Sequence, residues 1–231
     1  FFTLLSAYFV WSICTKNDLK SYILAGFFCG LSVATKYYGG IIFLAIIIFG
    51  WKNKKHIGYS LLATITGFFI GCPFAFIDYA GFLERFFDRF NLIVGTEKTQ
   101  LFHGFLNYPG TIVNGFGYFL TATSALGLVL LLKNKSRQNI FLLVIISILV
   151  IFFGCWKGLA GRYILALYPF FVMMSALVIV KVKNKVLFWL SIFSFLIIAL
   201  PRIVKTDILL SQKDTRVISR EWVVKNIPEG A

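Results

Sequence analysis

Long apolar runs alternate with short polar intervals along this chain, from its first residue to about residue 200. Runs of this kind predict helices that cross a membrane, although several are shorter than the roughly 20 residues that usually span a bilayer. We therefore predict an all-α fold, a polytopic transmembrane helical bundle with short and broken helices. About eight spans are predicted, at residues 1–14, 21–34, 38–51, 57–77, 109–132, 140–154, 163–180 and 186–200.

Lys36 interrupts a long apolar stretch, GFFCGLSVATKYYGGIIFLAIIIFG, at residues 26–50. In one unbroken helix this lysine would lie near the bilayer centre, where a charge costs about 2.5–3.5 kcal/mol. Two short helices that meet at Thr35–Tyr38 avoid the cost and leave Lys36 at a membrane face or in a water-filled cavity. We therefore predict a helix break at this point.

Residues 78–108 form a long polar interval that contains an amphipathic segment, Phe82–Phe90. Helical spacing gathers its phenylalanines and leucine on one face and its paired charges on the other. We predict an interfacial helix that lies flat in the outer membrane interface. It serves either as a surface anchor or as the wall of a lipid entrance.

The chain changes character after residue 200, where its composition turns polar. Residues 214–230 predict a soluble helix that Asp214 or Thr215 caps and that Pro228 and Gly230 end. We expect residues 1–200 to form the transmembrane bundle and residues 201–231 to begin an exoplasmic C-terminal domain. Because the chain starts inside an apolar run without an initiator methionine, we expect it to be an internal fragment of a longer protein.

Composition agrees with a membrane protein. Hydrophobic residues make up 59% of the chain, charged residues 14%, and the mean hydropathy is +0.85. A soluble domain carries about 25% charged residues. The net charge of +14 is spread over short clusters between apolar runs. Such clusters are typical of cytoplasmic loops, and nucleic-acid binding is not expected.

The positive-inside rule predicts the topology, because alternate polar intervals must share one side of the membrane. One set of intervals holds the compact lysine clusters and has Asp18 as its only acidic residue. We predict that this set is cytoplasmic and that the Lys36 break, the loop 78–108, residues 155–162 and the C-terminus are exoplasmic. The assignment requires the break at Lys36 and suits a bacterial or archaeal plasma membrane. The cytoplasmic set comprises residues 15–20, 52–56 (cluster 52–55), 133–139 (cluster 133–137) and 181–185.

Three cations on the predicted outer side are candidates for binding a phosphate or pyrophosphate: Lys36, Lys157 and Arg162. Lysine offers a point charge and arginine can bind two oxygens at once. The alternative is that they are ordinary loop residues. Three tyrosines flank the cations, Tyr37, Tyr38 and Tyr163; they either form an interfacial aromatic belt or hydrogen-bond a head group.

Three further side chains on the same side are possible substrate contacts: Asp78, Glu97 and His103. Glu97 could position a sugar or act as an acid or base, although a solvated loop charge is the favoured explanation. Asp78 could also cap the helix that follows it. The two histidines are far apart and the four cysteines form no CxxC pair, so no metal site and no cofactor are predicted. Nucleotide-binding and hydrolase motifs are also absent from the sequence.

Four segments, in order, resemble motifs of the polytopic GT-C glycosyltransferases, which include dolichyl-phosphate-mannose–protein mannosyltransferase-like and aminoarabinose-transferase-like families. GLSVATKYYGG resembles their G-L-A-x-x-T-K-Y-x-G segment. Cys72–Asp78 is similar to their N-P-Y-x-x-x-D stretch, with cysteine in place of asparagine. Gly161–Pro169 resembles their R-Y-x-L-P-x-x-P helix start, with Ala166 where proline is common. Residues 214–230 resemble the opening of their exoplasmic domain.

The resemblance implies a membrane glycosyltransferase that takes a sugar from a polyprenyl-phosphate donor and transfers it to a protein, lipid or glycan on the exoplasmic side. Lys36 and Arg162 would contact the donor phosphate. The catalytic carboxylate of the family lies in an earlier outer loop, so we expect it upstream of Phe1 and expect no catalytic residue within these 231 residues.

Two other classes remain open. A polytopic transporter or flippase for lipid-linked or anionic substrates would predict an inverted repeat, and no second copy of ATKYYGG occurs in the chain. A structural membrane subunit, or a polymerase or ligase of O-antigen type, would predict a large outer loop with its own arginine or histidine cluster. The loop 78–108 is short for that role.

Overall fold

The computed structural model describes residues 1–94, 103–155 and 164–228, and all regular secondary structure in these ranges is helical. The predicted all-α class is therefore confirmed for them. The chain divides into two compact units, Phe1–Val178 and Ile179–Ala231. The helices are α1 Phe2–Lys16, α2 Leu19–Thr35, α3 Phe43–Gly50, α4 Lys54–Gly71, α5 Phe74–Ile77, α6 Tyr79–Val94, α7 His103–Lys133, α8 Arg137–Gly154, α9 Tyr168–Ile179, α10 Lys185–Ser211 and α11 Thr215–Asn226.

Two helices within the described ranges are long and apolar enough to cross a membrane, Gly104–Lys133 and Arg137–Gly154. Three shorter apolar helical stretches accompany them, at Leu19–Thr35, Tyr37–Gly50 and Ile164–Ile179. Length and composition therefore favour membrane association. The number of spans and their sidedness stay predictions.

The helix break expected at Lys36 is present. Helix α2 ends at Thr35, Lys36 is extended with φ −154° and ψ 127°, and a 3₁₀ turn over Tyr37–Ile42 leads into α3. The Lys36 carbonyl oxygen accepts a hydrogen bond of 2.8 Å from the Gly39 N–H. Gly39 lies against Ser32, where a Cβ atom would collide with backbone. The break is thus packed back onto the last turn of α2.

Helices α2 and α4 cross at very close range through glycine pairs spaced four residues apart. On α2, a Cβ at Gly26 or Gly30 would collide with the Ser60 or Thr64 carbonyl oxygen of α4. On α4, a Cβ at Gly67 would collide with the Phe27 carbonyl oxygen of α2, and one at Gly71 would lie 2.6 Å from the Ala34 Cβ. Small residues at this spacing let helix backbones approach closely, which is the usual way helices associate inside membranes.

The first unit has two distinguishable ends. The Asn53 amide donates to the Asn17 side-chain oxygen over 3.2 Å, and the Phe141 ring lies 5.3 Å from the Trp11 ring and 5.4 Å from the Phe49 ring. These contacts bring the α1–α2 turn, the α3–α4 turn and the start of α8 together. We call this the basic end, defined by Lys16, Lys20, Lys52, Lys54, Lys55, Lys133, Lys135 and Arg137.

The opposite end, which we call the Lys36 end, gathers the break and the ends of other helices. The Tyr38 ring lies 5.2 Å from the Phe153 ring at the end of α8. Thr3 at the start of α1 shares a 2.6 Å hydrogen bond with the Ser32 hydroxyl at the end of α2. The polar intervals that the sequence assigns to opposite membrane sides therefore separate to opposite ends of this unit, as far as it is described.

The span predicted at 57–77 is divided in the structure, because α4 ends at Gly71 and the short helix α5 follows Pro73. Two other helices extend beyond their predicted bounds. Helix α7 begins at His103 rather than at residue 109, because Gly104 packs on the end of α8 and the Tyr108 hydroxyl donates to the Val150 carbonyl over 2.8 Å. Helix α10 continues through Pro201 to Ser211 instead of ending at residue 200. In both cases the helix extends into sequence that composition alone indicates to be polar.

Ser175→Ala is expected to destabilise the first unit by about 0.6–1.7 kcal/mol, the range for hydrogen bonds between membrane helices. Ser175 on α9 is 2% exposed, and its hydroxyl lies 2.8 Å from the Ser124 hydroxyl and 3.3 Å from the Leu120 carbonyl oxygen of α7. Reversible unfolding in mixed micelles measures the change. Ser211→Ala, at an exposed serine that bonds only within its own helix, is the matched control. Equal stability of the two variants would contradict the assigned role.

Candidate functional site

Lys36 is exposed at the junction between α2 and the 3₁₀ turn, where it lies next to two tyrosines. Its Nζ atom lies 5.6 Å from the centre of the Tyr38 ring, within the range of a cation–π interaction. Its backbone N–H closes α2 by donating to the Ser32 carbonyl over 2.9 Å. Packing fixes the backbone of this residue, and its ammonium group stands at the surface of the Lys36 end.

Tyr37 joins the break to the amphipathic helix α6. Its ring lies 5.0 Å from the Phe86 ring and 6.1 Å from the Phe82 ring, both in edge-on geometry. Phe82 also lies 5.9 Å from Phe68 of α4. The apolar face of α6 therefore docks against the break and against α4, next to the candidate cation.

Tyr38 joins the break to α8. The buried Phe153 ring that it contacts is followed by Gly154, and the Phe105 ring at the start of α7 occupies the space that a Gly154 side chain would fill. Helix α8 ends here, directly before residues 156–163. The C-terminal end of α8 therefore lies at the Lys36 end.

Asp78 has the capping role that the sequence suggested. It lies between α5 and α6, and its Oδ1 atom accepts a hydrogen bond of 3.2 Å from the Gly81 N–H in the first turn of α6. A Cβ at Gly81 would lie 2.5 Å from the other carboxylate oxygen. The carboxylate is held over the start of α6, where the positive end of the helix dipole stabilises its negative charge.

Several predicted site residues lie outside the described residues: Lys157, Arg162, Tyr163 and Glu97. His103 begins α7, and its side chain is also outside what the structure describes. Of the predicted set, the structure brings Lys36, Tyr37 and Tyr38 together. Among the described residues no group of three or more histidine, cysteine or acidic side chains is arranged to hold a metal.

The docking of Phe82 and Phe86 onto Tyr37 is the feature of the site that sequence reasoning missed. The spacing of these phenylalanines on one face of α6 predicts an interfacial helix, either a surface anchor or the wall of a lipid entrance, but it does not predict a contact with Tyr37. In the structure part of that face packs against Tyr37, while Phe87 on the same helix is 55% exposed. Helix α6 is thus partly a wall of the candidate site.

No protein-family model matches this chain, and neither a curated protein nor a solved structure is detectably similar to it.

Proposed function

We propose that this chain belongs to a polytopic membrane glycosyltransferase that moves a sugar from a polyprenyl-phosphate donor to a protein, lipid or glycan acceptor. Transfer takes place at the Lys36 end, on the exoplasmic side of a plasma membrane. The observation that carries the proposal is the packed helix break, which presents a cation beside two tyrosines and an amphipathic helix. The motif resemblance of the four sequence segments supports the same class.

A break of this kind suits a donor that combines a charged phosphate with a long lipid. Lys36 supplies the positive charge that a phosphate needs, and its fixed backbone limits the positions the ammonium can take. The exposed apolar side chains of α6 offer a surface for the prenyl chain next to that charge. Lys157 and Arg162 would complete the phosphate site from the interval after α8.

The chemistry assigned to these residues is electrostatic. When the bond between sugar and phosphate breaks, negative charge grows on the leaving phosphate, and fixed cations stabilise that charge more than they stabilise the bound donor. Tyr37, Tyr38 and Tyr163 would orient the head group, with Asp78, Glu97 and His103 as further possible contacts. No residue of this chain is assigned as the carboxylate that activates the acceptor.

A transporter or flippase for lipid-linked or anionic substrates is the second candidate. The discontinuous helix at Lys36 favours it, because broken helices with polar residues at the break form the substrate sites of many transporters. The missing second copy of the ATKYYGG segment counts against it. Both candidates place an anionic substrate at Lys36, so only the fate of that substrate separates them.

The full-length protein in outside-facing proteoliposomes should release polyprenyl phosphate and transfer sugar from at least one donor of a polyprenyl-phosphate panel. Labelled sugar and labelled lipid are followed separately. Nucleotide sugars serve as the control and should give no turnover, since they lack the prenyl chain. Movement of intact donor or of a labelled anionic solute across the bilayer, without cleavage of any donor, would favour the transporter and contradict the transferase.

A further inference from the structure

The basic end concentrates positive charge from separate parts of the chain. Eight cations from three separate segments meet there, and each is solvent-exposed: Lys16, Lys20, Lys52, Lys54, Lys55, Lys133, Lys135 and Arg137. Asp18 is the only acidic residue in these segments. The Ser21 hydroxyl donates a hydrogen bond to its carboxylate and lowers the pKa of that carboxyl, so Asp18 stays ionised at neutral pH and offsets one positive charge.

Specific contacts hold these like charges together. Asn17 ends α1 in the left-handed conformation, with φ 52° and ψ 33°. Its side-chain oxygen accepts hydrogen bonds from the Tyr22 hydroxyl over 3.0 Å and from the Asn53 amide over 3.2 Å. The two turns that carry Lys16, Lys20 and the 52–55 cluster are thereby tied to each other. Like charges repel, so this arrangement is favoured when an anion lies against it.

The aromatic residues beside the cluster indicate the kind of anion. Trp51 is 68% exposed and Tyr59 is 41% exposed, and both flank the lysines of the α3–α4 turn. Exposed tryptophan and tyrosine next to lysine are typical of the level of lipid headgroups. Clusters of four to eight cations at that level attract anionic lipids, by about fivefold in affinity for each cation near the surface.

We propose that the basic end is a binding site for the headgroups of anionic phospholipids. Asn17, Tyr22 and Asn53 hold the two turns in place, and the lysines of the α1–α2 and α3–α4 turns contact the lipid phosphates. The site lies at the end opposite Lys36 and goes beyond the proposed transferase activity. The lipid site requires membrane insertion but no sugar transfer, so a failed transferase assay would not contradict the lipid-binding proposal.

Phosphatidylglycerol is the probe that tests the proposal, with zwitterionic phosphatidylcholine as the reference lipid. The full-length protein in a neutral detergent should bind phosphatidylglycerol at least about tenfold more tightly, measured by native mass spectrometry and by lipid titration of tryptophan fluorescence. The triple variant Lys52→Gln/Lys54→Gln/Lys55→Gln should weaken phosphatidylglycerol binding on the order of 10- to 100-fold. Asp18→Asn removes the one negative charge among these cations and should strengthen phosphatidylglycerol binding.

The matched control removes the same charge elsewhere. Arg216→Gln/Arg220→Gln/Lys225→Gln removes three exposed cations of α11, which is predicted to lie in a soluble exoplasmic domain, and should alter the affinity by less than about twofold. Equal losses in the two triple variants would overturn a defined site in favour of unspecific charge attraction. Equally tight binding of glycerol phosphate would overturn the assignment to lipid, because it carries the phosphate without the acyl chains.

Discussion

Gly30→Ala is expected to destabilise the protein by more than about 3 kcal/mol, at or above the upper end of the usual cost of overpacking a core. The added methyl would collide with the Thr64 carbonyl oxygen of α4 and would lie 2.7 Å from the Phe68 amide nitrogen. Both are backbone atoms of a helix, so no side chain can rotate away. The two helices would have to separate along their shared glycine face. Mixed-micelle unfolding and the fraction of monodisperse protein after detergent extraction measure the effect.

Gly58→Ala is the matched control on α4 itself. No atom lies within 4 Å of a Cβ built at Gly58, so the new methyl meets only open space. Alanine also favours a helix over glycine by about 1 kcal/mol. The same substitution should therefore be neutral or stabilising at Gly58 and severely destabilising at Gly30. Equal behaviour of the two variants would show that α2 and α4 do not pack as described.

The helix break was predictable because its cause is local. A single lysine within an apolar stretch carries a large cost if the helix continues, and that cost can be estimated from the sequence around Lys36 alone. The predicted separation of the lysine clusters from the Lys36 end depends on the same helix break. The contacts of Asn17 with Asn53 and of Tyr38 with Phe153 agree with that separation within the first unit.

The contact between α2 and α4 could not be predicted from the sequence of either helix alone. Gly26-Phe-Phe-Cys-Gly30 and Gly67-Phe-Phe-Ile-Gly71 both carry the small-residue spacing, but spacing does not say which helix is the partner. The start of α7 is similar. His103, Asn107 and Tyr108 make its first turns look like a loop, and contacts with α8 turn them into helix.

Only part of the candidate site could be predicted from the sequence. Its cation and tyrosines follow from sequence, because charge and aromatic residues at a break are visible in the pattern. The position of α6 against Tyr37 could not be predicted, because residues 72–78 between α4 and α6 include two turns and the short helix α5. The direction of such a connection depends on caps, here the Asp78 carboxylate at Gly81.

Lys36→Ala is expected to lower donor turnover by about 10- to 150-fold, the equivalent of losing one hydrogen bond to a charged group. Because the leaving phosphate gains charge in the transition state, kcat should fall more than KM rises. Arg162→Ala should act in the same direction, since arginine offers two donors to the same phosphate. Proteoliposome turnover with the donor that the wild-type protein uses measures both.

Three comparisons separate a phosphate contact from a structural role of Lys36. Lys36→Arg keeps the charge and should retain more activity than Lys36→Ala, although the larger guanidinium will not fit the site equally well. Lys205→Ala removes an exposed lysine of α10 and should leave turnover unchanged. Lys36→Ala should also lose no more than about 1 kcal/mol of stability, the value of an exposed cation–π contact, because its backbone N–H closes α2 and is kept in the variant. Full activity in both Lys36→Ala and Arg162→Ala would contradict a phosphate site at the Lys36 end.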